Sequence, residues 1–397
     1  MKTLLIHPGT QYSHRLAYQL NRLGCLYKFV TGIGFASNSM FLKSMPRYFR
    51  SRLSNRILDE SISVDQVEGI PLPEIVALLR LKLHHDMETV MHKRNERLQR
   101  AIRTTTIKES DNIIGFDTSS WIIARRAQQL GKPFFLDQSI AHPREKMSLF
   151  KALREQFPSW GEDIPMKEEL FMKEEDSEHK LAHCIVVASS FTRNSLIKQG
   201  VSSDKIKLNP YGVGEEFFSK KEKSSREKVR FVYMGTLGAR KGLPFLMEAW
   251  MKHKLYNKAE LWLAGPASEY VQGQVAQTPG MNYRGRLSHK DIPGLLKECD
   301  CLLFPTFFEG FGQVILEAMA AGLSVITTEA AAGPDIIEDG VDGWLVQSGD
   351  VDGIARAIEK MCSDSTLSYA MGKLAQEKAR SFTWDAYGDR WKKILKH

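Results

Sequence analysis

Two glutamates separated by a glycine turn are the residues of this sequence best suited to chemistry. Glu309 is followed by Gly310 and Gly312, and Glu317 lies eight residues after Glu309. Because glycine has no Cβ, a ligand can approach the backbone amides of the turn closely. Glu309 can face such a ligand, and Glu317 can accept hydrogen bonds from a diol such as a ribose. Either carboxylate alone would be interpreted as a surface residue, but the whole pattern favours a binding site.

The elements around this pattern predict where the two glutamates lie. Residues 299–305 read as a buried strand, 313–321 as a short helix closed by Gly322, and 323–328 as the next strand. The order strand, turn, helix, strand is a βαβ unit of a parallel sheet. The turn then lies at the carboxyl end of a strand and the N-terminus of a helix, where α/β proteins bind phosphate and other anions.

A second pattern supplies positive charge. Arg240 and Lys241 follow the predicted strand 230–235 and precede a helix that begins after Gly242. Arginine binds anionic oxygens in a bidentate fork, and lysine acts as a point charge. The pair therefore suits a diphosphate and could neutralise the charge of a departing phosphate. Without the glutamate pattern, the same residues would be interpreted as a surface turn.

The sequence predicts no metal site and no cofactor. Asp350 and Asp352 have the Asp-x-Asp spacing of some metal–nucleotide sites, but they precede a helix, which favours an N-cap role for one of them. Cys299 and Cys301 alternate on a predicted strand and should share one face, yet the second Cys or His pair of a zinc site is missing. All five cysteines are expected to be reduced and mostly buried.

The glutamate pattern resembles the Glu-x7-Glu signature of the family 4 glycosyltransferases, which are retaining enzymes of the GT-B fold. Four further segments resemble the family's order of elements: 229–250, 261–267, 283–306 and 333–350. The resemblance covers most of the C-terminal half. It implies an α/β architecture with two Rossmann-like domains facing across a cleft, and a nucleotide-sugar as donor substrate.

The resemblance also implies roles for particular residues. In that family, the residues matching Arg240 and Lys241 contact the nucleotide diphosphate, and the glutamate matching Glu317 holds the ribose hydroxyls. The glutamate matching Glu309 contacts the transferred sugar. The other residues expected to bind substrate are those of the glycine turn and its helix, and those near the nucleobase: Gly310, Phe311, Gly312, Gln313, Arg286 and Leu287.

Two residues of the N-terminal half complete the predicted site. Family members carry a histidine on a first-domain loop that faces the donor sugar, and His142, which follows the predicted strand 132–139, is placed to match it. Eleven histidines are present, and a single one is more often structural. The family's first loop is usually rich in glycine. Here Gly9 alone remains, which leaves the acceptor and phosphate contacts of that loop open.

Length and composition fit two domains without a membrane span. A chain of 397 residues exceeds the roughly 250–300 residues of a single core. We predict a first domain over 1–207, a nucleotide-sugar-binding domain over 208–380, and a helix over 381–397 that crosses back. The sequence has no apolar run of about 18 residues, and its start reads as a strand, not as a signal peptide. These features predict a cytoplasmic protein.

The excess positive charge lies in the first quarter of the chain. Residues 1–110 contain 17 Lys and Arg against 9 Asp and Glu, whereas the remainder is balanced. Residues 41–57 interleave basic with aromatic and aliphatic side chains, a composition that suits an anionic membrane on the inner face. A solvated helix face and an acceptor groove are the alternatives. No nucleic-acid motif accompanies the charge, so nucleic acid is not a predicted partner.

Together with the resemblance, these observations predict a metal-independent hexosyltransferase, and the resemblance implies that it is a retaining one. A UDP-sugar is the first choice of donor and a GDP-sugar the second, and the acceptor is a glycan or lipid-linked oligosaccharide of cell-surface polysaccharide synthesis. No catalytic nucleophile is evident, which favours a front-face mechanism. The alternatives are a non-catalytic nucleotide-sugar-binding subunit, and a sugar phosphorylase or epimerase on the same fold.

Overall fold

The structure is a computed structural model that describes residues 1–10, 12–37, 39, 56–163, 167–364 and 366–396. Its first sheet has seven parallel strands in the order β3-β2-β1-β4-β5-β6-β7. These strands are β1 (Thr3–His7), β2 (Leu26–Thr31), β3 (Val67–Gly69), β4 (Asn112–Phe116), β5 (Phe134–Gln138), β6 (Cys184–Val187) and β7 (Ile206–Leu208).

The second sheet has six parallel strands in the order β10-β9-β8-β11-β12-β13. They are β8 (Val229–Met234), β9 (Ala259–Ala264), β10 (Met281–Tyr283), β11 (Cys301–Phe304), β12 (Ser324–Thr328) and β13 (Trp344–Val346). Both sheets form by crossover connections, since sequential parallel strands require a helix or long loop between them. The predicted α/β class with two Rossmann-like domains is confirmed.

Helices connect the strands in both domains. In the first domain they are α1 (Ser13–Arg22), α2 (Pro71–Lys82), α3 (Met87–Ala101), α4 (Thr104–Glu109), α5 (Trp121–Gln129), α6 (Pro143–Gln156), α7 (Glu169–Leu181) and α8 (Ser190–Lys198). The later ones are α9 (Leu243–Lys252), α10 (Glu269–Ala276), α11 (Ile292–Lys297), α12 (Gln313–Ala320), α13 (Gly333–Ile336), α14 (Val351–Ser363), α15 (Leu367–Ala379) and α16 (Trp384–Ile394).

The unit predicted around the glutamate pattern forms as expected. Strands β11 and β12 pair in parallel, with Cys301 opposite Ser324, and α12 connects them. Both strands are fully buried, which explains their continuous apolar sequence. The predicted N-cap is also confirmed, because the Asp350 side chain accepts a hydrogen bond of 2.8 Å from the Gly353 amide at the start of α14.

The last helix lies against the first domain. On α1, Gln19 donates to Asp385 of α16 at 3.1 Å, and Arg22 pairs with Asp389 at 2.8 Å. A main-chain hydrogen bond joins a residue just before this helix to the linker between the domains: the Val213 amide donates to the Phe382 carbonyl. The domain limits themselves stay predictions. In the described residues, no helix has both the length and the apolar character that crossing a bilayer requires.

One detail of the sequence reading is wrong and another lies outside the described residues. Cys299 precedes β11, and its side chain packs on the opposite side of the sheet from that of Cys301, so the two do not share a face. The described cysteines are free, and four are buried. The basic segment 41–57 falls almost wholly outside the described residues.

Candidate active site

The turn between β11 and α12 carries Glu309 at the carboxyl end of the second sheet. Its shape depends on Gly312, which adopts a left-handed conformation with φ +86°. A Cβ at that position would lie 2.8 Å from the Phe304 ring. The Glu309 amide donates to the Ala330 carbonyl at 2.8 Å, which fixes the residue against the loop after β12.

Glu309 forms an ion pair with both predicted cations. Its Oε2 atom lies 2.8 Å from the Arg240 guanidinium and also accepts from Lys241 Nζ. Burial alone would raise the pKa of Glu309, but the charges of Lys241 and Arg240 lower it to about 2. Burial lowers the pKa of Lys241, in spite of the attraction of Glu309. The three groups therefore form one half-buried cluster, which we call the Glu309 cluster.

A short 3-10 turn, Ala239–Lys241, positions the two cations after β8. It is held to the glutamate loop by the Arg240 carbonyl, which accepts from the Phe307 amide at 2.9 Å. The turn ends at Gly242, where φ is +78° and a Cβ would lie 1.7 Å from the Pro305 carbonyl oxygen. A larger residue would separate the two loops, so this glycine brings the cations to the carboxylate.

Glu317 lies on the buried side of α12, with 6% of the residue exposed. Its Oε1 atom is 3.8 Å from His289 Nε2, and the contact raises the pKa of His289. From the first domain, Tyr12 approaches both glutamates. Burial raises the pKa of Tyr12, and the charges of Glu317 and Glu309 raise it further. Glu309 and Glu317 thus lie beside the same part of the cleft.

Gly310 is the closest described approach of the two domains at this site. Its carbonyl accepts from Ser189 Oγ and, at 3.2 Å, from Thr192 Oγ1. A Cβ on Gly310 would lie 1.8 Å from the Ser139 carbonyl oxygen. A second bridge joins the Ser190 amide to Asp335 at 2.8 Å. The cleft is therefore closed at the level of the glycine turn.

Phe311 and Gln313 support the turn from behind. The Phe311 ring is buried and lies 5.0 Å from the Tyr211 ring. Gln313 donates to the Gly212 carbonyl at 2.7 Å. Both side chains therefore contact the linker between the domains, which gives them a structural role at the base of the site.

The predicted nucleobase and first-loop residues lie on the loops that border the cleft. Arg286 is exposed and Leu287 is half-buried after β10, in a loop held by the hydrogen bond of 2.9 Å from the Gly265 amide to the Gly285 carbonyl. Gly9 follows β1, and its amide donates to His7 Nδ1 at 3.0 Å. Within the described residues, none of these three forms a hydrogen bond or an ion pair with the Glu309 cluster.

His142 lines a pocket of the first domain with Arg144, Asp176 and His179, and its role at the donor sugar stays a prediction. It caps the N-terminus of α6, with Nδ1 accepting from the Arg144 amide at 3.3 Å. Its Nε2 lies 3.4 Å from Asp176, and its ring lies 4.8 Å from that of His179. The ligand atoms of His142, Asp176 and His179 lie within 4.8 Å of one another, a spacing that could hold a metal ion. Arg144 pairs with the Oδ2 atom of Asp176 at 2.7 Å, however, and so competes with an ion for that carboxylate.

Two ionisable residues near the cleft were missed by the sequence reading. Asp117 follows β4 and accepts from the Ser139 hydroxyl at 3.0 Å and the Ser139 amide at 3.2 Å. Lys146 on α6 is half-buried. Burial lowers the pKa of Lys146, and the charge of Arg240 in the other domain also lowers it. The charges of Asp117 and Glu88 act in the opposite direction and raise it. The sequence could have indicated Asp117, because it directly follows a predicted strand. Nothing in the sequence distinguishes Lys146 from surface lysines.

Comparison with known proteins agrees with this geometry. Residues 228–364 match the family model described as glycosyl transferases group 1. The sulfoquinovosyl transferase SQD2 of Arabidopsis thaliana is 26% identical over 52% of this chain and 43% of its own length. The O-antigen chain mannosyltransferase B of Escherichia coli is 29% identical over 39% of this chain and 42% of its own length. The matches thus span less than half of these relatives.

A solved structure resembles the whole chain. HepE of Anabaena, crystallised in complex with UDP and glucose, superposes with a TM-score of 0.66 over all of this chain and 99% of its own, at 16% sequence identity. At that identity the likeness establishes the fold. The two sheets, the cleft between them and the returning last helix are those of the GT-B architecture.

Proposed function

We propose that this chain, which has the GT-B fold and carries a glycosyl transferases group 1 domain over residues 228–364, is a retaining glycosyltransferase that uses a nucleotide-sugar donor. The observation that carries the proposal is the Glu309 cluster. Two cations and a carboxylate meet at the carboxyl ends of parallel strands, beside a turn that requires glycine. Open α/β sheets bind ligands at this edge.

We propose separate roles for Glu317 and for the three members of the Glu309 cluster. Arg240 and Lys241 would bind the donor diphosphate, and their positive charge would replace a divalent ion. Glu317, which is buried beside the cleft, would accept hydrogen bonds from the ribose. Glu309 remains ionised because of the two cations, so it can orient them and accept a hydroxyl hydrogen bond of the sugar. We take UDP as the first choice of nucleotide and GDP as the second.

The reaction we propose takes place on one face of the sugar. The acceptor hydroxyl oxygen forms a bond to the anomeric carbon while the bond from that carbon to the phosphate oxygen breaks. The hydroxyl proton passes to the departing phosphate, and the electron pair of the broken bond stays on the diphosphate. Arg240 and Lys241 would stabilise this charge as it develops, which is the principal way in which such sites accelerate group transfer.

The acceptor would enter from the first domain. Tyr12 and Lys146 are half-buried in the first domain, and they would offer hydrogen-bonding groups for a hydroxylated substrate. We propose a glycan or a lipid-linked oligosaccharide, used on the cytoplasmic face of the membrane in polysaccharide synthesis. The relative named for O-antigen mannosyl transfer supports the choice of a surface polysaccharide.

The test measures release of nucleoside diphosphate from a panel of UDP- and GDP-sugars, with and without oligosaccharide acceptors and with EDTA present. Glycosyl transfer requires release that depends on the acceptor and yields an α- or β-linkage matching that of the donor. Phosphate-dependent cleavage would indicate a phosphorylase. Binding of a nucleotide-sugar without any turnover would indicate a non-catalytic subunit. Loss of activity in EDTA would contradict the metal-independent mechanism.

A further inference from the structure

Ionisable side chains cluster around Glu74 in the first domain. Glu74 of α2 is 5% exposed and forms ion pairs with Arg56 at 3.1 Å and with Arg94 of α3 at 3.0 Å. Burial lowers the pKa of His7 and of His14 to about 4, and the charge of Arg56 contributes to both shifts. Both histidines are therefore neutral at pH 7, and two guanidinium charges face a single carboxylate. We call these five residues, which carry a net positive charge, the Arg94 cluster.

Two nitrogens of the Arg94 cluster lack a hydrogen-bond partner. Over the described part of the chain, Arg56 Nη1 and His14 Nε2 are buried and form no hydrogen bond. Buried polar atoms are almost always paired, so each unpaired one requires an explanation. The guanidinium groups can be reached from solvent, because the Arg56 side chain is 26% exposed and that of Arg94 is 15% exposed. A ligand that is negatively charged and accepts hydrogen bonds would satisfy this cluster.

The Arg94 cluster lies at the switch point of the first sheet. Strand β1 stands between β2 and β4, so the chain leaves it in one direction first and in the other later. His7 ends β1. Arg94 donates to the Asn95 side chain at 2.9 Å, and Asn95 donates to the Thr118 carbonyl beyond β4 at 2.9 Å. Open α/β sheets bind ligands at the carboxyl ends of their strands beside such a point.

Helix α1 connects the Arg94 cluster with the glycine turn. His14 lies in the first turn of this helix, and Tyr12 is its N-cap residue. The Tyr12 ring lies 4.2 Å from the Tyr211 ring, which lies 5.0 Å from the ring of Phe311 in the glycine turn. A substrate that extends along the start of α1 therefore joins the cluster to the cleft beside Glu309.

We propose that the Arg94 cluster binds an oxyanion, a phosphate or a carboxylate, that belongs to the acceptor. Arg56 and Arg94 bind its oxygens through their remaining N–H groups, since guanidinium forks match both anions. His14 adds a neutral donor when Nε2 carries the proton, and Glu74 holds the two guanidiniums in place. The anion site is independent of transfer activity, and only its assignment to the acceptor rests on the proposed function. The acceptor is then an acidic or phosphorylated glycan.

Isothermal titration with inorganic phosphate at pH 7 tests the site. Arg56→Gln and His14→Gln are combined in one full-length variant, which should bind phosphate at least about tenfold more weakly because it loses a charged contact. The matched control is Arg100→Gln, also on α3, where the exposed arginine pairs with Glu96 at 2.9 Å. The control should bind phosphate as the wild type does. Lys241→Ala should also keep this binding, since Lys241 belongs to the other domain.

A second variant gives a result that misfolding cannot produce. Glu74→Gln keeps the shape of the side chain but removes the competing negative charge, so it should bind phosphate several-fold more tightly. Equal phosphate affinity of the wild type and the Arg56→Gln, His14→Gln variant would overturn the inference. So would loss of phosphate binding in Lys241→Ala alone, because the anion would then bind in the other domain.

Competition identifies the anion and separates the two proposals. Methyl glucoside 6-phosphate and methyl glucuronide should displace phosphate, whereas neutral methyl glucoside should not, and the stronger competitor distinguishes phosphate from carboxylate. Displacement by the neutral glycoside to the same extent would contradict an anion site. Titration with UDP is the separate readout of the proposed function. A wild type that binds phosphate but no UDP would contradict the nucleotide-sugar donor and leave the anion site standing.

Discussion

The two domains present opposite kinds of surface to their common cleft. The second domain contributes the glycine turn and the Glu309 cluster, whose charges are paired over short distances. The first domain contributes neutral groups that contact Gly310: the Ser139 carbonyl and the Ser189 and Thr192 hydroxyls. The comparison separates charge, which would suit the proposed diphosphate, from neutral hydrogen-bonding groups, which hold the turn in place.

Among the changes that test this comparison, Lys241→Ala should have the largest effect on turnover. Removal of one buried cation leaves Glu309 with Arg240 alone and should reduce turnover by about a hundredfold, the loss typical for one electrostatic stabiliser. Diphosphate binding should weaken, and folding should survive because the residue lies in a loop. Steady-state kinetics measures the effect, with Lys252→Ala as control, since that exposed lysine pairs with Asp352 on the protein surface. Full activity would exclude Lys241 from the site.

The two glutamates should separate binding from turnover. Glu317→Gln should weaken UDP by about tenfold, because it loses a charged acceptor for the ribose hydroxyls. Glu309→Gln should reduce turnover more than UDP affinity, since its proposed contact is with the sugar. Isothermal titration with free UDP gives the affinities. Equal loss of UDP binding in both variants would contradict this division of roles.

Gly310→Ala tests whether the domains close on the glycine turn. The new Cβ would lie 1.8 Å from the Ser139 carbonyl, so either the turn or the first domain must move. We expect several-fold weaker turnover and a larger radius of gyration in X-ray scattering. The control is Gly273→Ala on α10, where a Cβ meets no atom within 4 Å. That change should stabilise the helix by up to about 1 kcal/mol.

The basic segment 41–57 of the first domain is the predicted contact with an anionic bilayer. If it makes that contact, changing Arg47, Arg50 and Arg52 together to Glu should reduce sedimentation with anionic vesicles by an amount that shrinks as salt rises. UDP binding, which we propose for the other domain, should not change. A wild type that ignores anionic vesicles at low salt would show that the segment is a solvated face or an acceptor groove.

The smallest expected effect is the loss of the Glu309 ion pair in acid. The pKa of Glu309 is lowered in the folded protein to about 2, so its contribution to stability is present above the ordinary carboxyl pKa and is lost as the pH falls towards 2. The unfolding free energy of the wild type should therefore fall more steeply below about pH 4.3 than that of Glu309→Gln. Chemical denaturation at several pH values measures the difference, and parallel curves would contradict the pairing.

The sequence alone determined the fold of the second domain and the ends of its key elements. Apolar runs such as 299–305, followed by a glycine turn and a helix, predict parallel strands, because such strands are buried on both faces. The glycines of the turn and the following helix were equally local signals, as was the N-cap at Asp350. For this reason Glu309, Glu317, Arg240 and Lys241 could be named before any coordinates were known.

Only the tertiary structure decided which residues meet. The carboxylate and the cations lie some seventy residues apart in the chain, and their pairing depends on the parallel register of β8 and β11. The same packing placed His142 beside Asp176 and brought Ser139 and Ser189 to the glycine turn.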